Sequence, residues 1–413
     1  MHATFAPIVR NLVALAAAGV AHAQGALLVV DATGGPGSAF TSIADAVSAA
    51  VDGDTLLVRS GTYAPFTIDG LTLVVAAEPG ASVVVDLALL GSSFATPAAT
   101  VTGIAANQGV VLAGLTLKGT QPPGNDNGGY GLRVDGCGGQ VWIQDCEIVG
   151  GANDVFDRHG AYVTDSSQVL FVRSQVTGTS YLSLFGINHI AAGLRAIDSS
   201  VYAWESGFTG GAGGPGAYPD GGFFFAEGSV LQGGPGEGVP GPAICQLQVD
   251  GGPGLKLFTF GSKATLFDTH PLGGEADPEG CSADGPNTSV LFGQLTQLPG
   301  SSASFAVTSP VLDGASTTLT FAGQPGDLPV VLMAMAWEPV AWFSKYSGAL
   351  VTGHPALFLL SPLPASGTLS VPFGFGDALA PGTGGIIYLQ GAVLKVAGGA
   401  LLADPGTLIT FDD

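Results

Sequence analysis

The densest run of chemically capable side chains in this 413-residue sequence is NDVFDRHG at 153–160. Asp154 and Asp157 could hold Ca²⁺, or act as paired carboxylates with Arg158 or His159 handling the proton. Asn and Asp are also the residues that satisfy their own turns in ordinary loops, so both readings stand at this point. Similar polar groups recur in other loops: Asn125, Asp126 and Asn127, then Asn188 and His189, then Tyr218 and Asp220.

Each of these loops leads into an alternating stretch: GLRVD at 131, GAYVT at 160, GLRAI at 193 and GFFFA at 222. Period-two alternation puts Leu132/Val134, Ala161/Val163, Leu194/Ala196 and Phe223/Phe225 on an inner face. The outward residues are then Arg133, Tyr162, Arg195 and Phe224, stacked at about 4.8 Å per strand. Guanidinium groups alternating with rings could hold an extended anionic polysaccharide, with carboxylates or sulfates on the arginines and sugar faces on the aromatics. His189 is expected beside this face. The plainer alternative is a row of arginines that neutralises an acidic surface.

What must position these residues is a repeat. Units close on Gly119, Gly150, Gly178 and Gly210, at intervals of 31, 28 and 32 residues, with short β-type runs and no helical pattern between them. A period near thirty built from strands signals a solenoid, whose turns share one continuous core. Val141, Val169 and Val201 align as one inward stack, Ile143, Phe171 and Ala203 as a second, and Ile148, Val176 and Phe208 as a third. Small residues align at the corners, Cys137 with Ser166 and Ser199, and Cys146 with Ser174 and Ser206.

The N-terminal stretch FTSIADAVSAAVDGDTLLVRSGTYAPFTIDGLTLVVAAEPG at 40–80 reads as a short amphipathic helix followed by strands. It resembles the opening of the right-handed parallel β-helix proteins, the pectin lyase-like superfamily. The resemblance covers roughly residues 25–267 and implies a helix capping the coil, with polysaccharide bound along the strand face. VWIQDCEI at 141–148 departs from the V-W-I-D-H stretch of pectate lyases at Gln144 and Asp145, so that role does not transfer. Asp145, Arg173 and Glu205 share a register position and read as an exposed charge ladder.

From about Ser301 the period disappears, and short strands separated by Gly/Pro turns predict a β-sandwich over 301–413. GQPGD and IYLQGAVL in this part are similar to a terminal module of exported planctomycete-type proteins. The expected organisation is therefore a signal peptide at 1–23, a β-helix at 24–267, a linker at 268–300 and the sandwich at 301–413, all-β throughout.

Bulk chemistry narrows the function. The apolar run Leu12–Val20 behind Arg10, followed by Ala21-His22-Ala23, predicts a secretory signal and hence a secreted or cell-surface protein. Removing it takes Arg10 away, so the net charge goes from −21 to −22. Such a charge disfavours nucleic acid and anionic membrane surfaces. No later stretch reaches ~18 uninterrupted apolar residues, so no membrane span is expected. Export permits disulfides, with Cys137/Cys146 and Cys245/Cys281 as the local pairings out of three connectivities; free buried thiols remain open for the first pair. The leading expectation is a monomeric protein that binds polysaccharide. The competing ones are a lyase or hydrolase on uronate-containing glycan, using Asp154, Asp157, Arg158 and His159, and a structural envelope protein without ligand.

Overall fold

The computed structural model describes residues 25–86, 96–119, 129–151, 158–179, 191–239, 246–278, 282–334, 337–343, 348–352, 355–374, 379–396 and 398–412. The signal segment expected at 1–23 lies outside them. The protein is all-β with long parallel sheets; its helix, α1, covers Ile43–Ala49. It divides into two compact units, one made of Leu28–Asp52 and Leu56–Ser301, the other mainly of Ser302–Asp413.

Three parallel ladders make up the first unit. Ladder A runs through Phe66–Asp69, Ala99–Thr102, Leu132–Asp135, Ala161–Thr164, the first half of Leu194–Trp204, the first half of Ala217–Glu227, Leu255–Leu257 and Thr288–Val290. Ladder B takes the next strand of each repeat, from Leu73–Ala77 through Gln140–Gln144 and Gln168–Val172 to Gln294–Leu298. Ladder C is an 8-stranded sheet from Gly61–Tyr63 to His270–Leu272. The inward residues of all three merge into one core, and the three stacks expected from the repeat are present and buried. Ser42 caps α1 by accepting the Asp45 N–H at 3.3 Å. The helix then buries Ile43, Ala46 and Val47 in that same core.

Sharp corners between ladders require backbone in the left-handed region. Between A and B it is adopted by Gly70, Gly103, Gly136, Asp165, Asp198 and Gly221; between B and C by Gly114, Asp145, Arg173, Glu205, Gly228 and Asp268. The charge ladder Asp145/Arg173/Glu205 is therefore a line of corner residues, and the nine counterparts just named are all glycine or Asp, which tolerate positive φ. Arg173 binds Asp145 through two bonds of 2.8 and 3.0 Å.

Inside each corner the small residues form hydrogen-bonded columns. Ser166 Oγ accepts the Cys137 N–H at 3.2 Å, and Ser199 Oγ accepts that of Ser166 at 3.1 Å. In the second corner the Cys146, Ser174, Ser206 and Ser229 N–H groups are accepted in turn by Ser174, Ser206, Ser229 and Thr269 at 3.1–3.2 Å. Each hydroxyl donates back to a carbonyl two residues earlier, as Ser206 does to Trp204 at 2.9 Å. Turn donors that would otherwise be buried without partners are thus satisfied one repeat at a time.

The third corner, from C back to A, is lined by glycine. Gly234 N–H donates to Gly214, Gly252 to Gly234, Gly274 to Gly252 and Gly285 to Gly274, each at 2.8 Å. A Cβ on Gly234 would fall on the Gly211 carbonyl oxygen, so the backbones approach too closely for any side chain. The sequence signature is the recurrent GGPG at 213–216, 233–236 and 251–254.

Two expectations change. Residues 268–300 are not a linker: His270–Leu272, Thr288–Val290 and Gln294–Leu298 extend the three ladders. The stretch at 222 does not continue ladder A either. Ala217 pairs with Leu194, only 23 residues on, because a short glycine turn replaces the longer connections of earlier repeats. Gly221 and Gly222 then form the A–B corner, which puts Phe223–Glu227 on ladder B.

The second unit is mainly antiparallel, with Val311–Leu312 pairing in parallel with Ala400–Phe411. Thr383–Leu394 pairs with Leu328–Ala334 on one side and Ala400–Phe411 on the other, while Ser316–Ala322 lies between Ser304–Val307 and Thr368–Gly374. Buried Asp404 accepts the Phe305 N–H at 3.1 Å, and buried Gln390 donates to Ala349 and Ala403 carbonyls.

Candidate functional site

Outward positions of ladder A carry Arg133, Tyr162 and Arg195 in direct register, as the alternation predicts. The fourth member is Tyr218, opposite Arg195. Phe224 is fully buried against Val201 in the core and belongs to no surface column. Three consecutive phenylalanines give the alternation no polar position to fix their register, and the glycine-rich surroundings of Tyr218 read as a loop. The Arg195 guanidinium carbon sits 3.6 Å from the Tyr218 ring centre, and Lys256 Nζ lies 4.7 Å from it on the next strand.

Aromatic groups flank the column and extend it at one end. Tyr130 stacks on Tyr162 with ring centres 4.8 Å apart and 10° between planes. Beyond Lys256, Phe258, Phe260 and Phe292 form an exposed cluster; Phe260 stacks on Phe292 at 4.3 Å and is 79% exposed. From the 132 strand to the 288 strand the ridge spans five inter-strand steps, roughly 24 Å. An exposed aromatic group of this size needs either a partner or a solvation cost, which makes it a candidate contact surface.

A second outward column runs beside the first and supplies carboxylates. Arg133 donates to Asp135 at 2.7 Å, and Asp135 also accepts from Thr164 Oγ1 at 2.7 Å. Arg195 pairs with Asp220. Nothing in linear spacing signalled this second pair, since its members are 25 residues apart.

The proposed catalytic group divides. Asp154 and Asp157, which also carried the Ca²⁺ expectation, lie outside the described residues, as does His189. Arg158 and His159 are described and buried. His159 Nδ1 accepts the Ala192 N–H at 2.9 Å, which places the proton of the neutral ring on Nε2. Burial, reinforced by the Arg195 and Arg158 charges, pushes its pKa down to about 3. A neutral ring with Nδ1 engaged and Nε2 protonated is a hydrogen-bond donor and not a base. Its ring lies parallel to Tyr162 at 5.7 Å, so His159 packs against a member of the column.

Cys137 and Cys146 are buried free thiols, so that disulfide pairing is corrected. They occupy different corners with strand Gln140–Gln144 between them, a span of roughly 13 Å against the ~4.4–6.8 Å Cα separation of a disulfide. Burial raises both thiols, Cys146 to about 12. Cys245 and Cys281 lie outside the described residues. Among the described residues no three His, Cys, Asp or Glu side chains gather into a metal site, and no helix is long and apolar enough to cross a membrane. Neither a protein-family model nor a curated protein matches the chain.

Proposed function

We propose that this is an exported or cell-surface protein whose first unit is a right-handed parallel β-helix of the pectin lyase-like kind, followed by a β-sandwich module, and that it binds polysaccharide along ladder A. The observation that carries the binding reading is the in-register column Arg133, Tyr162, Arg195, Tyr218 and Lys256, continued by Phe258, Phe260 and Phe292. Repetition at one strand spacing suits a ligand that is itself an extended repeat. Rings in line supply apolar surface for sugar faces, and the charged groups between them supply hydrogen bonds.

Binding ranks ahead of turnover because the described part of the catalytic alternative, Arg158 and His159, is buried and already engaged in the fold. Affinity electrophoresis of the mature chain through gels containing a polysaccharide panel tests the reading. At least one polymer should retard the native protein, and Tyr218→Ala should weaken that retardation about tenfold, corresponding to about 1.4 kcal/mol. Equal retardation of native and variant protein would remove ladder A as the binding face.

A further inference from the structure

The polysaccharide reading above leaves the ligand's charge open, and the pairing on ladder A decides it. Its outward positions carry Arg133, Arg195 and Lys256 against Asp69, Asp135 and Asp220, so the face is balanced within a chain of net charge −21. Both arginines are already held by carboxylates, Arg133 by Asp135 at 2.7 Å and Arg195 by Asp220. An anionic sugar approaching either guanidinium would meet that carboxylate within a few ångströms, well inside the ~8–10 Å over which salt screens charge. It would have to break the pair or share the arginine against repulsion.

Uncharged sugars face no such conflict. A hydroxyl both donates and accepts, so it needs the two kinds of partner side by side. A guanidinium has five N–H donors and a carboxylate about four lone-pair sites, and the pairs described use only part of each. Asp135 spends two of its sites, on Arg133 and Thr164. Its side chain and that of Arg133 remain 34% and 43% exposed, open to a ligand. Tyr162 and Tyr218 interleave with these pairs on adjacent strands, and the Phe258/Phe260/Phe292 cluster continues with no charge of its own. The geometry points to a neutral glycan as the ligand of ladder A, its hydroxyls bridging Arg133–Asp135 and Arg195–Asp220 and its apolar faces lying on the exposed Phe258/Phe260/Phe292 cluster.

The test uses the mature full chain and matched polymer pairs that differ in charge: a methyl-esterified galacturonan and its saponified form, and a galactan and its sulfated form. In at least one pair the uncharged member should bind at least about tenfold more tightly, with an affinity that changes less than about twofold between low and high NaCl, because no ion pair forms across the interface. Replacing both carboxylates, Asp135→Asn with Asp220→Asn, releases the two guanidiniums and should shift the preference toward the charged member by about tenfold or more. Both side chains are partly exposed and the substitution preserves shape; an unchanged urea midpoint verifies folding. Tighter, salt-sensitive binding of a charged member by the native protein would overturn the neutral ligand while leaving the polysaccharide reading in place. Retention by no polymer of either kind would overturn both.

Discussion

His159 should be a source of acid lability with no part in proton transfer, and its size follows from its surroundings. The imidazole is buried, accepts the Ala192 N–H at 2.9 Å through Nδ1, and has its pKa pushed down to about 3. In the unfolded chain the same ring titrates near 6.5. Above that value neither state binds the proton and stability is unaffected. As pH falls below it the unfolded chain gains a proton the folded one refuses, so stability declines until the folded value is reached. Between pH 7 and pH 5 the loss works out at about 2 kcal/mol. The variant His159→Asn isolates this contribution: Oδ1 can replace Nδ1 as acceptor from Ala192, and nothing remains to titrate. Urea unfolding at the two pH values, read by hydrogen exchange on peptides from 160–178, should show the native protein losing about 2 kcal/mol more than the variant. Carboxylates titrate alike in both proteins and cancel. Equal losses would show that the ring is free to take a proton, reopening the general-base role for which its position in NDVFDRHG first suggested it.

The corner columns and the glycine stack carry sharper predictions. Ser174→Ala removes the acceptor of the buried Cys146 N–H and a donor to Val172, and should cost about 1–3 kcal/mol in urea unfolding; Ser174→Cys should cost less, since cysteine already heads both columns. Gly234→Ala sets a Cβ on the Gly211 carbonyl oxygen, with backbone that cannot yield on either side, and should cost more than about 4 kcal/mol, read as loss of the folded protein. Gly138→Ala, whose nearest neighbour would be at 3.6 Å and whose φ is not positive, should stay within about 1 kcal/mol on the same assay.

What the sequence showed and hid follows from which signals are local. Inward stacks such as Val141, Val169 and Val201 were legible because burial demands the same residue class at the same place in every repeat. The ladder A register was legible through Leu194–Ala196, where Arg195 stands between two apolar residues. It failed at the next strand because the repeat contracts to 23 residues there and then lengthens to 38, from Ala217 to Leu255, to admit the antiparallel pair Glu237–Val239 and Gln246–Val249. Glycine alone is a poor anchor in a chain with 66 of them, and Gly221–Gly222 imitated the start of a repeat. The combination GGPG is the better marker, since three glycines and a proline recur at the close backbone stack of the third corner, and at 213–216 it leads directly into Ala217 and Tyr218.

The same packing logic explains why the surface column holds its line. Outward side chains on parallel strands stay in register only if no repeat slips against its neighbour, and a slip of one residue would turn the column inward. Each corner resists slipping in its own way: left-handed backbone at the A–B and B–C bends, serine hydroxyls bonded to the amide of the repeat before, and glycine backbones bonded at 2.8 Å at the return. The Arg195–Tyr218 contact at 3.6 Å and the Arg195–Asp220 pair both cross from one repeat to the next, so they exist only because that register is fixed. The ligand recognition proposed for ladder A thus rests on the corners that hold its register. A corner substitution such as Ser199→Ala should therefore weaken polysaccharide binding along with stability, whereas Tyr218→Ala should weaken binding alone.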